Sequence, residues 1–355
     1  MIRIGIIGCG KMGKIYANNF SKNPHCIIKG FYNRTRERAT ELSKLYPPSS
    51  VYDSWEEMLD SNDIDAVGIC TPSNMHKAQF ISALAHGKHV LCEKPMANNM
   101  NECFEMLDVA KKTTATSMIG FQMRYHPVVT EVSKQLEMLG DIYYIDMSLS
   151  MYRPEVTWKH KLNQGGGVMK ELACHLIDLA RMWCGEILNV QGVNIIFNSR
   201  REVEDFSQSF FQFENGGVGL VRSDYLDRNP SLIKAKTICE KGQIEWQFSS
   251  YKPEDAKIEL INNESRHMIR FNKPIIIDKI YPGHFNSFSV EINHFIEMIM
   301  NGEQDLSSIL RGVKALEAIN ASYLSTALRQ SVDLPLQGFN TDILVDCFKH
   351  YHLNK

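Results

Sequence analysis

Short apolar runs alternate with stretches of helical spacing over the first 122 residues. The run Ile2–Ile7, apolar apart from Arg3, predicts a buried parallel strand, and similar runs at Cys26–Tyr32, Asp65–Cys70 and His89–Cys92 predict three more. Segments with apolar residues on one helical face lie between these runs. The alternation predicts a doubly wound α/β domain with a parallel sheet over residues 1–122.

The pattern changes after residue 122. Helical spacing over 127–139 and 168–183 flanks a predicted half-buried strand at 142–151, and two further helices are predicted at 284–300 and 307–328. We also predict a terminal helix after Gln337. Short strands with turn residues between them fill the middle, at Leu188–Phe197, Ser207–Phe213, Gly217–Ser223, Ile233–Cys239, Gln243–Phe248 and Lys257–Ile261. Residues 123–355 are therefore predicted to form an α+β domain with a large, mainly antiparallel open sheet.

Composition agrees with a two-domain globular protein. The chain has 355 residues, 44% of them hydrophobic and 23% charged. A net charge of -2 gives no reason to expect a nucleic-acid or membrane partner. We see neither a run long enough to span a bilayer nor a signal peptide. The nine cysteines are odd in number and lack C-x-x-C spacing, so we expect free thiols and a cytoplasmic location.

A glycine-rich loop follows the first strand and has the spacing G-x-G-x-x-G, from Gly8 through Gly10 to Gly13. In a Rossmann domain such glycines allow a tight turn, backbone approach to a pyrophosphate and close packing of helix on strand. We expect Gly8, Gly10, Lys11, Met12 and Gly13 to bind the phosphates of a dinucleotide at the helix start. The alternative is a plain corner between strand and helix.

The second predicted strand ends at Asn33, where an acidic residue would bond the adenosine ribose and repel a 2′-phosphate. Asn33 is neutral, and Arg34 has the chemistry to pair with that phosphate or to stack on adenine. We therefore expect NAD or NADP, with NADP slightly favoured. In the alternative interpretation, Arg34, Arg36 and Arg38 are only the solvated basic start of a helix.

Polar residues also follow the next strand. Thr71, Pro72 and Asn74 come at its carboxyl end, where loops of an open α/β sheet border the ligand. We expect these three residues, and His76 after them, to border the cofactor. His76 has a second interpretation as a solvated or capping residue in the first turn of a helix.

A Glu93-Lys94 pair ends the fourth predicted strand, and Pro95 stops it. The proline restricts the backbone and so the direction of Lys94, whose ammonium suits a reacting oxygen. The alternative is an ordinary surface ion pair.

Three acid and base side chains share one face of the predicted helix 168–183. Glu171, His175 and Asp178 are spaced i, i+4 and i+7, the arrangement that a proton-transfer site requires. The glycines at 165–167 before the helix allow close approach to a ligand, or form a flexible loop. His175 has an alternative role as a core histidine. A zinc site is not expected because no H-E-x-x-H motif or third ligand is present.

Several motifs together resemble the glucose-fructose oxidoreductase / inositol dehydrogenase / rhizopine-catabolism (Gfo/Idh/MocA) family. They are the glycine loop, Thr71-Pro72 with His76, the segment Cys92–Pro95 and the segment Gly120–Pro127. The glycines before Glu171 and His175 resemble a further family pattern, in which an Asp stands where this chain has Glu171. The resemblance covers the chain to about residue 335.

The resemblance implies an NAD(P)-dependent dehydrogenase or reductase acting on CH–OH groups of a sugar, inositol or related polyol, in a cleft between the domains. His175 would take the hydroxyl proton, Glu171 would orient the imidazole or the substrate, and Lys94 would stabilise the alkoxide. Glu93 and Gln122 would adjoin the cofactor, while Tyr125 and Asp178 would adjoin the substrate. A homodimer or homotetramer would form through the C-terminal sheet. Two other functions remain open: a nonenzymatic NAD(P)-binding regulator, and a reductase of an imine or pyrrole substrate.

Overall fold

The computed structural model describes residues 1–153, 155, 157–228, 232–249, 256–262, 265–270 and 287–336. The chain forms two compact units, one from Met1–Gln122 with Phe288–Lys314 and the other from Met123–Ser287 with Ala315–Lys355. No helix in the described part of the chain is both long and apolar enough to cross a bilayer.

The first unit is built on a six-stranded sheet in the order β3-β2-β1-β4-β5-β6, with every neighbouring pair parallel. This is the strand order of a Rossmann fold, so the predicted fold class is confirmed. Its strands are β1 Ile2–Ile7, β2 Cys26–Tyr32, β3 Ser50–Val51, β4 Ala66–Ile69, β5 His89–Glu93 and β6 Ser117–Gly120. Its helices are α1 Lys11–Phe20, α2 Arg36–Ser43, α3 Trp55–Asp60, α4 His76–Ala85 and α5 Met100–Lys111.

A late helix also belongs to the first unit. Helix α8, Ser287–Asn301, lies on α1 through edge-to-face ring contacts, with Phe288 6.5 Å from Tyr16 and Phe295 6.4 Å from Phe20 between ring centroids. The sequence assigned all residues after 122 to the second domain. Grouping of Phe288–Lys314 with the first unit corrects that assignment, because α8 buries its aromatic face on a Rossmann helix.

The second unit contains a nine-stranded sheet in the order β14-β13-β12-β11-β7-β10-β9-β8-β15. Among the described strands of this second sheet, β7 and β10 pair in parallel and the other neighbouring pairs are antiparallel. The prediction of a mainly antiparallel sheet is confirmed. The strands are β7 Ile142–Ser150, β8 Ile187–Ile195, β9 Phe206–Phe213, β10 Val218–Asp224, β11 Leu232–Cys239, β12 Gly242–Ser249, β13 Lys257–Ile261, β14 Arg266–Arg270 and β15 Val332–Asp333.

Helices cover one face of this sheet. They are α6 Pro127–Leu139, α7 Cys174–Cys184 and the second part of α9 Leu306–Leu328. Trp183 of α7 donates to the Ser133 hydroxyl on α6 at 2.9 Å and packs edge to face on Trp246 of β12. Gly192 of β8 donates to the Ser325 hydroxyl of α9 at 3.0 Å. The predicted terminal helix after Gln337 lies outside the described residues.

The opposite sheet face carries half-exposed apolar side chains. On β10 these are Val218 and Leu220, and Leu220 lies opposite Phe210 of β9. Arg222 and Asp146 lie on the same face. Burial there raises the pKa of the Asp146 carboxyl, and Arg222 opposes that rise.

Candidate active site

The glycine loop leaves open space where a pyrophosphate would bind. Gly8 has φ +99° and its position lies against the Cys70 backbone, while a Cβ atom at Gly13 would overlap the Gly8 carbonyl. At Gly10 a Cβ atom would meet no described atom within 4 Å. Gly10 also precedes α1 without a side-chain cap for its first N–H groups. These features fit a dinucleotide phosphate, since the helix start then offers donors and a positive dipole end.

Asn33 fixes the loop from the end of β2. Its Oδ1 accepts from the Cys9 N–H at 3.0 Å, and its Nδ2 donates to the Thr35 carbonyl at 2.9 Å. Arg34 is exposed, whereas Arg36 forms an ion pair with Asp53. Asn33 therefore has a structural role that its position alone did not indicate.

His76 is a buried link between the loops that follow β4 and β5. It is only 1% exposed, and its Nδ1 and Nε2 lie 2.9 Å from the Pro95 and Thr71 carbonyl oxygens, respectively. The interpretation as a solvated residue is therefore wrong. Both partners are backbone carbonyl oxygens, so the ring links the two loops through its two nitrogens.

The loop after β4 is held by its own side chains. The Thr71 hydroxyl donates to Gln79 at 2.6 Å, and the Ser73 hydroxyl donates to Asn98 at 2.8 Å. Thr71 and Pro72 are half-buried and Asn74 is exposed, on the side of the sheet where the strands end. The structure thus brings this loop, the glycine loop and the Lys94 segment to neighbouring strand ends.

Glu93 is buried at the end of β5, so the interpretation of Glu93 and Lys94 as a surface pair is wrong. Its Oε2 accepts from the Lys94 N–H at 3.2 Å, and Lys94 itself is half-buried. Burial and the charge of Glu93 raise the pKa of Tyr16 and of Glu291 on α8 well above their usual values. Lys94 therefore follows directly on a buried acidic cluster of the first unit.

In the second unit, the predicted regular helix 168–183 requires a correction. Met169–Ala173 form a π-helical turn, in which the Cys174 N–H bonds to the Met169 carbonyl, and α7 begins at Cys174. Glu171 lies in the wider turn and His175 in the α-helix, so the rotation between their side chains differs from that of i and i+4 residues in a regular α-helix. Single π-helical turns are frequent at functional sites.

Glu171 and His175 are both buried, with 5% and 4% of their surfaces exposed. Glu171 forms an ion pair with Lys159, which lies in a short 3₁₀ turn at Trp158–His160. Sequence reasoning did not identify Lys159, because one cation in a predicted loop has no distinguishing pattern. Glu171, which is one methylene longer than the Asp of the family pattern, thus has a cationic partner in the second unit.

Asp178 is held by Arg124. The guanidinium donates to both carboxylate oxygens, at 2.6 Å and 2.8 Å, and Asp178 is 1% exposed. This bidentate pair ties α7 to the 3₁₀ turn that contains Tyr125. Asp178 has a positioning contact here, and its predicted contact with substrate stays a prediction.

The three glycines before the π-helical turn are buried and closely packed. A Cβ atom at Gly166 would overlap the Lys159 carbonyl, and one at Gly167, where φ is +119°, would lie 2.6 Å from Glu204 Oε1. Gly166 and Gly167 therefore allow close packing within the second unit, where a larger side chain would not fit. Within the described residues there is no group of three or more His, Cys, Asp or Glu side chains arranged to hold a metal.

A Rossmann sheet whose glycine loop is open at Gly10 defines a dinucleotide-binding domain. The chain belongs to the GFO/IDH/MocA family of oxidoreductases. Residues 2–121 match the oxidoreductase family with an NAD-binding Rossmann fold, and residues 135–245 match the GFO/IDH/MocA C-terminal domain.

Named relatives include several dehydrogenases. The chain is 27% identical to the uncharacterized oxidoreductase YrbE of Bacillus subtilis, over 61% of this chain and 65% of that protein. It is 24% identical to scyllo-inositol 2-dehydrogenase (NAD(+)) of Bacillus subtilis, over 85% and 87%, and 26% identical to D-glucoside 3-dehydrogenase of Escherichia coli, over 82% and 87%. The alignment thus spans about two thirds of YrbE and most of the other two.

The fold is shared with levoglucosan dehydrogenase in complex with NADH. The TM-score is 0.85 at 22% sequence identity, covering 95% of this chain and 100% of that one. This likeness supports the fold alone.

Proposed function

We propose that the protein is an NAD(P)-dependent oxidoreductase that transfers hydride between nicotinamide and a secondary alcohol or ketone carbon. The substrate class is a sugar, inositol or related polyol. The observation that carries the proposal is a glycine loop open at Gly10 in a chain that also presents Lys94 at a strand end and Glu171 with His175 on one helical segment. The dehydrogenases among its relatives support the same chemistry.

In the oxidative direction His175 accepts the hydroxyl proton as a general base. The Lys94 ammonium stabilises the negative charge that develops on the oxygen. Glu171, held by Lys159, orients the imidazole or the substrate. When bound, the nicotinamide supplies the two-electron acceptor. Glu93, His76 and Asn33 act at a distance from the reacting oxygen by holding the loops that receive the cofactor.

The finer assignments are part of the proposal. Asn33 does not repel a 2′-phosphate and Arg34 is exposed beside it, which supports NADP(H) as well as NAD(H). The half-exposed apolar face of β10 and β9 supports a homodimer or homotetramer. The eight cysteines among the described residues form no disulfide with one another, which supports a cytoplasmic location.

An absorbance screen of reduced nicotinamide tests this function. The purified chain is incubated with NAD⁺ or NADP⁺ and a panel of sugars, inositols and other polyols, with His175→Ala as the matched inactive control. We expect at least one polyol to give turnover that the control lacks. Tight cofactor binding without turnover of any polyol would contradict the proposal and favour a nonenzymatic regulator.

A further inference from the structure

Glu204 precedes β9 in the sequence, and its side chain contacts the first residue of the π-helical turn. The residue is fully buried, with 0% of its surface exposed. Its Oε1 accepts from the Met169 N–H at 2.9 Å and from the Tyr323 hydroxyl at 2.8 Å. Its backbone carbonyl accepts from the Val168 N–H at 3.2 Å. Both the side chain and the backbone of Glu204 therefore bind the first residues of the segment that carries Glu171 and His175.

The glycine before this segment fits the same carboxylate. Gly167 has φ +119°, and a Cβ atom there would lie 2.6 Å from Glu204 Oε1 and 2.8 Å from Oε2. Any larger residue at 167 would displace the Glu204 side chain. Gly167 therefore leaves the space that the Glu204 carboxylate needs to accept the hydrogen bond from Met169.

The start of a helical segment has N–H groups without intrahelical acceptors, and a carboxylate there is stabilising. Glu204 supplies the acceptor for Met169, from 35 residues along the chain. The Met169 carbonyl then accepts from the Cys174 N–H in the π pattern. A fixed Met169 thus fixes the register of the turn, two residues before Glu171 and six before His175.

We propose that Glu204 is a positioning residue for the reaction, which holds the π-helical turn in the register that directs Glu171 and His175 to the substrate. Glu204 acts through Met169 and contacts no substrate itself. This inference rests on the proposed function for its catalytic consequence, while the anchoring of the turn is measurable without turnover.

The protonation of Glu204 makes the proposed positioning role depend on pH. Burial raises the pKa of Glu204 to about 7, while the bonds from Met169 and Tyr323 and the charge of Lys170 lower it. The charge of Glu204 also contributes to the raised pKa of Tyr225, which follows β10. Above the pKa the carboxylate accepts charge-assisted hydrogen bonds, which are stronger than those of the neutral acid. The hydrogen bonds from Met169 and Tyr323 are therefore stronger above about pH 7, whereas the net stabilisation from burying Glu204 falls as pH rises from the unfolded pKa to about 7.

The experiment compares Glu204→Gln, Glu204→Ala and Tyr323→Phe with the wild-type chain. Exposed Glu240 on the hairpin between β11 and β12 provides the matched control Glu240→Gln. Hydrogen exchange of the segment 167–175, kcat and KM over a pH series, the Kd for NAD(H) and the melting temperature are measured for each.

Glu204→Ala should speed amide exchange in segment 167–175 and lower kcat by about 10²-fold, the effect of a small misplacement of catalytic groups. The Kd for NAD(H) should not change. Glu204→Gln keeps an acceptor for Met169, so its kcat should stay within about fivefold of wild type. The change of kcat that the wild-type protein shows near pH 7 should be absent from this variant. Tyr323→Phe should shift the pH at which kcat changes, while amide exchange in segment 167–175 should stay as slow as in wild type.

Unchanged exchange in Glu204→Ala, or a wild-type pH profile in Glu204→Gln, would overturn the proposal. If Glu204→Ala does not fold, the pH profile of Glu204→Gln and the shift in Tyr323→Phe decide alone. If no polyol is turned over by the wild-type chain, the proposed function fails, and the exchange data still decide whether Glu204 anchors the turn.

Discussion

Lys94 and His175 are the side chains to which the proposed chemistry assigns the charge and the proton. If both act on one substrate oxygen, Lys94→Ala and His175→Ala should each lower turnover by about 10² to 10⁴-fold. Because they share that oxygen, the double variant should lose much less than the product of the two single losses. Steady-state rates of all four proteins on the polyol found by screening measure this coupling.

Exposed Lys44 and His25 provide matched controls, and their alanine variants should keep wild-type rates. Cofactor affinity should change little in His175→Ala. Full turnover by His175→Ala on the true substrate would remove this histidine from the mechanism and leave it a buried structural residue.

A second prediction concerns Asn33 and the choice between NAD(H) and NADP(H). Asn33→Asp keeps an acceptor for the Cys9 N–H but loses the donor to the Thr35 carbonyl and adds a negative charge. We expect it to weaken NADP(H) far more than NAD(H), because the carboxylate repels a 2′-phosphate. Titration calorimetry of both proteins with both cofactors measures the difference.

A serine at the same position is the control, since Asn33→Ser removes the contacts without adding charge. It should weaken both cofactors to a similar degree. Tight NAD(H) binding with undetectable NADP(H) binding in the unmodified chain would show that Arg34 serves an unphosphorylated ribose.

Helix α8 buries a carboxylate that has no hydrogen-bond partner among the described residues. Glu291 is 0% exposed, and burial, followed by the charge of Glu93, raises its pKa well above 4.5. The native state therefore holds a proton that the unfolded chain releases, and Glu291 favours folding less as pH rises above its unfolded value.

Glu291→Gln should consequently be more stable than wild type in alkaline solution, by about 1–3 kcal/mol, and equal to it in acid. Chemical unfolding at about pH 5 and about pH 9 measures the two free energies. The exposed Glu297 on the same helix supplies the control Glu297→Gln, which should show no such dependence. A difference that is the same at both pH values would contradict this account.

The hydrophobic pattern of the sequence predicted most helices and strands, but not which elements pack or pair with one another. Alternating apolar residues predicted β9 to β12 closely, because one face of each strand is buried. The parallel pairing of β7 with β10 was not predictable, since alternation does not specify a neighbour. The π-helical turn was missed because its first N–H group bonds to Glu204, which is distant in sequence. Lys159 and the packing of α8 on α1 likewise depend on tertiary contacts.

For the candidate site, motif spacing located the glycine loop, Lys94, Glu171 and His175. Spacing did not reveal the links that hold them, such as His76 between two carbonyl groups or Arg124 on Asp178. These links join residues whose neighbours are set by strand order and helix packing. A single sequence carries no local signal for them.

Self-association is the prediction at the scale of the whole molecule. Leu220 and Val218 of β10 form an apolar face that the described residues leave half-exposed. Leu220→Lys should weaken assembly, because it places a charge in the proposed interface. Sedimentation of the two proteins at micromolar concentration measures the change.

Met138 on α6 is an exposed apolar residue away from this face, so Met138→Lys should leave assembly unchanged. A stable monomer of the unmodified chain would show that the sheet face is not an interface between copies.

Transfer of deuterium from substrate to cofactor tests the central claim most directly. The polyol selected by screening is labelled at its reacting carbon and incubated with the oxidised cofactor, and the reduced cofactor is analysed by mass spectrometry. Hydride transfer from the alcohol carbon predicts one deuterium in each reduced nicotinamide, and loss of this product in His175→Ala. Reduced cofactor without the label, or labelled polyol that never reduces the cofactor, would contradict the proposed function.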